Sequence, residues 1–109
     1  MTPLTPAVVH ILLALARGKL HGYAISKAVL EQTGGDVRMG PGTLYGTLRR
    51  LLDQGWVVVS ESPEGVDERR RYYRLSGLGK RALEGEVQRM EALVRTARSS
   101  QDKLRPSKA

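Results

Sequence analysis

The residues of this chain best suited to chemistry are small, hydroxylated or basic, and the chemistry they suit is the holding of an anion. They cluster in Gly40-Pro41-Gly42-Thr43-Leu44-Tyr45-Gly46-Thr47-Leu48-Arg49-Arg50. Pro41 at a first helical position and Gly55 just past the end mark a helix over Pro41 to Gln54. Leu44, Leu48, Leu51 and Leu52 make its buried stripe; Thr43, Gly46, Thr47 and Arg50 take the opposite face. Unpaired N–H groups and the helix dipole favour an anion at such an N-terminus, and Gly40, Pro41 and Gly42 carry no bulk to keep one away. Thr43 and Thr47 can donate to phosphates or base edges, and Arg50 and Arg49 can reach a phosphate or a guanine edge. Further on, Arg69, Arg70 and Arg71 are consecutive, so a strand sends them to alternating sides. Glu64, Asp67 and Glu68 precede them at the tip of the same hairpin and oppose a purely electrostatic role. The hairpin therefore reads as a phosphate contact more than a base reader. The competing reading makes Gly40-Pro41-Gly42 a bare start signal and leaves the arginines solvated.

Catalysis finds no such constellation. His10 and His21 are the only histidines; neither has a carboxylate pair at ligand spacing, so both read as structural and neither a metal nor a cofactor is implied. The serines lack a nucleophile elbow or an obvious base, and no phosphate-cradling loop of the Walker type is present. With no cysteine, disulfides, thiolate zinc sites and a cysteine nucleophile are excluded.

The elements that must position these residues follow from periodicity and caps. A first helix starts with Thr5 as N-cap and Pro6, runs to about Arg17 and stops at Gly18. Leu4, Val8, Ile11, Leu12 and Leu15 share one face, while Val9, Leu13 and Ala16 make a second apolar face that another subunit would cover. A second helix spans roughly Gly22 to Thr33, with Ile25, Ala28 and Val29 inward and Gly34-Gly35 ending it. Asp36 to Met39 is a connector, with room for a brief extended segment beside the later hairpin. Trp56 to Ser60 reads as a strand, Ser62-Pro63-Glu64-Gly65 as a turn and Arg71 to Leu75 as the returning strand. Tyr72 and Tyr73 should point to opposite faces, one inward and one outward. The last helix runs from near Ser76 to about Arg98. Its Leu83, Val87, Met90, Val94 and Ala97 form a short heptad seam, for dimerisation or for packing back on the chain itself. The expected fold is mainly α with a two-stranded β wing: a winged helix-turn-helix over residues 1–75, a dimerisation helix over 76–98 and a flexible basic tail over 99–109.

The chain has 109 residues, enough for one domain, and 18 Lys and Arg against 11 Asp and Glu, a formal charge of +7. That balance favours an anionic partner, nucleic acid foremost, although much of the excess lies in the C-terminal region. Aromatic residues make up 5% with no Phe, which argues against a large aromatic-lined catalytic pocket. No apolar run approaches the ~20 residues that span a bilayer, and the apolar Ala7 to Ala16 lacks the flanks of a signal peptide. A cytoplasmic location is expected.

His21-Gly22-Tyr23, Gly42-Thr43-Leu44-Tyr45 with Leu48, Leu51 and Gly55, and Arg71-Tyr72-Tyr73-Arg74-Leu75-Ser76 followed by Gly79 occur in an order that resembles the PadR family of bacterial transcriptional regulators. The resemblance runs from Leu4 to about Ala97 and is similar to the compact subgroup with a single C-terminal helix. It implies a dimeric winged helix-turn-helix repressor joined through its first and last helices. By that resemblance Tyr23, Thr43, Tyr45 and Thr47 lie at or near DNA, with the wing arginines on the backbone. Two departures stand out. Family members often carry proline after the tyrosine of the third helix, where this chain has Gly46. Some compact members bind flat aromatic drugs through a tryptophan of the last helix, whereas the one tryptophan here, Trp56, starts a strand.

The expected function is a homodimeric, sequence-specific repressor on double-stranded DNA with a pseudo-palindromic operator, relieved by a small aromatic or hydrophobic effector. The DNA-facing set is Tyr23, Gly42, Thr43, Tyr45, Gly46, Thr47, Arg49, Arg50, Arg69, Arg70 and Arg71. The dimer set is Val9, Leu13, Leu83, Val87, Met90, Val94 and Ala97. A winged-helix protein-interaction module without strong DNA binding is the alternative.

Overall fold

The computed structural model describes residues 3–63, 70–104 and 106. Arg69, and the acidic tip residues Glu64, Asp67 and Glu68, lie outside the described residues.

Each helix begins where its cap dictates. Thr5 Oγ1 accepts from the Val8 N–H at 3.3 Å and Pro6 follows, opening α1 (Pro6–Ala16). His21 caps α2 (Gly22–Gln32) through its ring, with Nδ1 accepting from the Ala24 N–H at 3.2 Å. The Thr33 hydroxyl donates to Val29 O at 2.9 Å and accepts from Val37 N–H at 3.0 Å, which shapes the turn beyond α2. After it, α3 (Pro41–Asp53) opens on Gly40 with no side-chain cap. Ser76 caps α4 (Gly77–Ser99) by accepting from Gly79 N–H at 3.0 Å, and its hydroxyl also donates to Gly55 O. One serine thus joins the start of α4 to the corner after α3. A short α5 (Gln101–Leu104) follows, within the segment 99–109 expected as a flexible basic tail.

The two expected wing strands are present, and a third strand joins their sheet. β1 (Leu20–His21), β2 (Val57–Ser60) and β3 (Tyr72–Leu75) lie in the order β1-β3-β2, all antiparallel. Leu20 pairs with Tyr73 and His21 with Tyr72, while Val57 to Ser60 pair with Leu75 to Tyr72. The extended segment beside the hairpin is therefore Leu20–His21 and not Asp36 to Met39. This added strand also corrects the expectation for the tyrosines, since both Tyr72 and Tyr73 are buried. Tyr73 joins the core; Tyr72, on the other face, is covered by His21, whose ring meets it edge-on at 5.4 Å.

The core gathers Ile11, Leu12 and Leu15 of α1, Ile25 and Val29 of α2, and Leu44, Leu48 and Leu51 of α3. Val57, Tyr73 and Leu75 come from the sheet and Leu83 from α4. Each such side chain taken out of water stabilises the fold by about 1.5–3 kcal/mol. The helix α1 is central and touches α2, β3 and α4. That is why Val9, expected on a dimer face, is already buried within one chain, leaving Leu13 exposed. Leu83 is corrected likewise: it is a core residue, and Val87 packs partly against the core.

At Gly79 the fold requires glycine. A Cβ there would run into the backbone carbonyl of Trp56, so α4 crosses the β2 strand start at a distance only glycine allows. Beyond Met90 every residue of α4 to Ser99 is exposed. A 23-residue helix is ~35 Å long, and its projection draws the molecule out to 60 × 27 × 22 Å. The radius of gyration is 16.8 Å, against roughly 13 Å for a compact domain of this length.

Glu86 is a feature that charge patterning did not indicate. It lies on α4 with 1% exposure. Its Oε2 accepts from Leu4 N–H at 3.3 Å, and its Oε1 accepts from the Arg89 guanidinium, with the Nε bond at 2.8 Å. The Arg89 bonds, and then the Leu4 amide, hold its carboxyl below the usual carboxylate range against the opposing pull of burial. A buried carboxylate thereby ties the chain ahead of α1 to the middle of α4.

Candidate nucleic-acid interface

The helix pair α2–α3 and the sheet put one end of the molecule together. On α3 the N-terminal residues Gly40, Pro41, Gly42 and Thr43 are exposed, no acidic residue stands in the first turn, and Arg49 and Arg50 are exposed further along. Gly42 and Gly46 are four apart and so share a face of the helix. A Cβ at Gly40, Gly42 or Gly46 would meet nothing within 4 Å. Nothing among the described residues requires these positions to be glycine, although glycine within a helix costs about 1 kcal/mol relative to alanine.

Gly22, at the start of α2, is a contrasting case. A Cβ there would strike the ring of Tyr45, with its Cζ only 2.8 Å away. The missing side chain lets the Tyr45 ring lie across the α2 N-terminus while staying half exposed. Tyr23 is 72% exposed, and its ring is near-parallel to that of His21 with centroids 6.4 Å apart. His21, Gly22, Tyr23, Tyr45, Arg70 and Arg71 together line an open cavity of about 380 Å³. It joins α2, α3 and the base of the wing.

The structure thus brings Tyr23, Tyr45, Arg70 and Arg71 around one cavity and sets Gly42, Thr43, Gly46, Arg49 and Arg50 on the exposed part of α3. Thr47 departs from the expected placement. It is 4% exposed. Its hydroxyl donates to Thr43 O at 2.8 Å and accepts from Arg50 Nη2 at 3.3 Å. Its role in this structure is to hold the Arg50 guanidinium against α3, not to present a hydroxyl outward. His21 was read as structural only. It does cap α2, but it also lies 3.4 Å from Arg70 Nη1 through Nε2. Burial first, and the Arg70 charge second, hold its pKa below the ordinary 6.5. His21 followed by Gly22 and Tyr23 was visible as a motif, but its link to the wing needs the pairing of β1 with β3.

A second exposed surface lies on α4. Val94 is 48% exposed and Leu93 59% exposed, with Met90 half-buried and Ala97 exposed. Val87, Met90, Glu91, Val94 and Arg95 line a shallow depression of about 380 Å³. Leu93 falls outside the heptad seam and was not anticipated. Among the described residues no group of His, Asp and Glu is arranged to hold a metal, and no helix is long and apolar enough to cross a membrane.

Comparison with known proteins bears on this arrangement. The profile of the Transcriptional regulator PadR-like family matches residues 11–85. An uncharacterized 37.1 kDa protein in transposon TN4556 of Streptomyces fradiae is 43% identical over 83 residues, covering 76% of this chain and 22% of that protein. The transcriptional regulator Rv3488 of Mycobacterium tuberculosis is 35% identical over 86 residues, covering 79% of this chain and 77% of its own length. Among solved structures, Bacillus subtilis PadR in complex with operator DNA superposes with a TM-score of 0.66 at 26% identity, covering 79% of this chain and 48% of that one. The chain therefore spans only about a fifth of the Streptomyces relative and about half of the Bacillus protein. The family profile runs from the middle of α1 into the N-terminal part of α4, which includes both helices of the helix-turn-helix and the wing strands. This winged-helix chain belongs to the PadR-like family of transcriptional regulators.

Proposed function

We propose that this chain is a homodimeric, sequence-specific DNA-binding repressor. In this reading α3 enters the major groove by its N-terminal half, and the wing arginines Arg70 and Arg71 contact the backbone. The observation that carries it is the bare face of α3. Glycines at 42 and 46 have open space before them and no packing reason within the described residues, and exposed Thr43, Arg49 and Arg50 flank them. A groove wall approaching that face would supply the missing reason, because bulk there would hold the helix off the bases. Bacillus subtilis PadR is known in complex with operator DNA, and that family likeness supports DNA as the partner.

The second copy would join through α4. Met90, Leu93, Val94 and Ala97 leave an apolar strip that nothing among the described residues fully covers, and Leu13 on α1 is a further exposed apolar residue. Two copies would place two α3 helices about 34 Å apart on a pseudo-palindromic operator. A small aromatic or hydrophobic effector would fit the Val87–Met90–Val94 depression, where it would compete with or reshape that contact.

The test is a titration of the duplex upstream of the gene over a salt series, beside a scrambled duplex. Specific binding should exceed scrambled binding and fall steeply with salt. Arg50→Ala should weaken both about tenfold and reduce the salt slope by about 0.9. Equal affinity for the two duplexes would remove sequence specificity. No duplex affinity even at low salt would leave the protein-interaction module as the better reading.

A further inference from the structure

His21 stands where too many donors meet. The Ala24 N–H points at its Nδ1 from 3.2 Å, and the Arg70 guanidinium points at its Nε2 from 3.4 Å. A neutral imidazole has one lone pair and one N–H, and arginine has no acceptor. If Nδ1 accepts the cap bond, Nε2–H faces a guanidinium N–H. If Nε2 accepts from Arg70, Nδ1–H faces the Ala24 N–H. Either tautomer leaves one donor opposed by another, and protonation would make both contacts unfavourable. The depressed pKa of His21 agrees with that. The arrangement with the proton on Nε2 keeps the α2 cap and turns two N–H donors, one of them cationic, toward the same cavity.

The rest of that cavity has the same character. Tyr23 and Tyr45 bring phenol hydroxyls, which can donate, and Arg71 brings a second guanidinium; no carboxylate lines it among the described residues. A ligand that satisfies the ring must offer several acceptor oxygens and negative charge. Tyr45 belongs to α3, so the cavity opens beside the helix assigned to the major groove.

We infer that His21 Nε2–H and the Arg70 guanidinium together grip one phosphate of the DNA backbone, locking the start of α2 to the wing. This rests on the DNA-binding reading above. The bound phosphate would resolve the clash of donors by accepting from both. It would also make the His21–Gly22–Tyr23 turn a sensor of whether the wing is docked on DNA.

The experiment uses the full chain and a mixed-sequence duplex, since a phosphate contact carries no sequence information. His21→Asn keeps a capping oxygen at the start of α2 and withdraws the outward donor, because its amide N–H ends well short of the position of Nε2. It should leave the melting temperature near wild type and weaken duplex binding about tenfold, as expected for a lost hydrogen bond to a charged group. Its salt slope should be unchanged, because the lost donor is neutral. Arg70→Gln should weaken binding and also reduce the slope by about 0.9. The double variant should bind little worse than the weaker single variant, because both groups hold one phosphate. In free protein, the imidazole nitrogen resonances should report the proton on Nε2, and inorganic phosphate should shift that signal less than the duplex does. Wild-type duplex affinity in a folded His21→Asn, or fully multiplicative effects of the two substitutions, would overturn the clamp alone. Loss of duplex binding by the wild-type chain itself would overturn the DNA-binding reading and the clamp together. A larger response to inorganic phosphate than to duplex would make the cavity a free-anion site and overturn its assignment to DNA.

Discussion

The helices α3 and α4 are both amphipathic, both carry glycines and both leave one face to solvent, yet the two exposed faces are of opposite kinds. On α3 the outer face is small and basic: Gly42, Thr43, Gly46, Arg49 and Arg50. On the projecting half of α4 it includes Leu93, Val94 and Ala97 between charges. Neither face has a reason among the described residues. A bare, cationic face suits a polyanion that must come close, whereas an apolar strip suits another apolar surface. The glycines make the same contrast. Gly79 is demanded by the Trp56 carbonyl inside the fold, while Gly42 and Gly46 meet only open space.

That contrast can be broken at several points. The largest effect is expected at Gly79→Ala, where the added methyl meets backbone that cannot swing away. Chemical denaturation should show a loss of about 3 kcal/mol or more, with Gly85→Ala, which faces open space on the same helix, neutral or stabilising. A tolerated Gly79→Ala would mean that α4 can shift off β2 and that the two classes of glycine are not distinct. Next comes Val94→Asp. A charge placed in an apolar dimer seam should weaken self-association on the order of a hundredfold, seen by sedimentation, while the folded domain keeps its melting temperature. An unaffected oligomer would move the subunit contact away from α4.

Gly46→Ala tests the other face with a smaller effect. It should stabilise the fold by up to about 1 kcal/mol and yet weaken duplex binding, so that stability and affinity move in opposite directions. If affinity is untouched, no surface approaches α3 closely at that position. The smallest effect concerns pH. The folded-state pKa of the Glu86 carboxyl lies below its ordinary 4.5. Its contribution to stability is thus fully present above the unfolded value and is lost as pH falls through the folded one. Wild type should lose stability below about pH 4.5 more steeply than Glu86→Gln; parallel curves would show that the link from Leu4 to α4 carries no ionic component.

The helices were legible because their signals are local. Thr5-Pro6, Gly40-Pro41 and Ser76 stand next to the residues they cap, so the helix starts agree with the structure to within a residue. β1 was not legible: two residues have no periodicity, and Leu20–His21 becomes a strand only because β3 is there to pair with it. The same pairing covers Tyr72, whereas alternation alone leaves one of the two tyrosines facing outward. Thr47 was misplaced for a related reason. A threonine can turn its hydroxyl back to the carbonyl four residues earlier, and spacing along a helix does not reveal that choice. Arg69 and the acidic tip of the wing lie outside the described residues.

By itself, then, the sequence determined the bounds of α1 to α4, the basic character of α3 and the wing, and the order of motifs that marks the family. Those follow from caps, turns and periodicity, which act over a few residues. Only the tertiary structure decided which apolar residues are available to a partner, because burial depends on segments distant in the chain. Val9 and Leu83 proved to be core, and Leu93 and Val94 proved to be surface. It also decided what His21 faces, since Arg70, 49 residues away in sequence, reaches that ring only across the sheet.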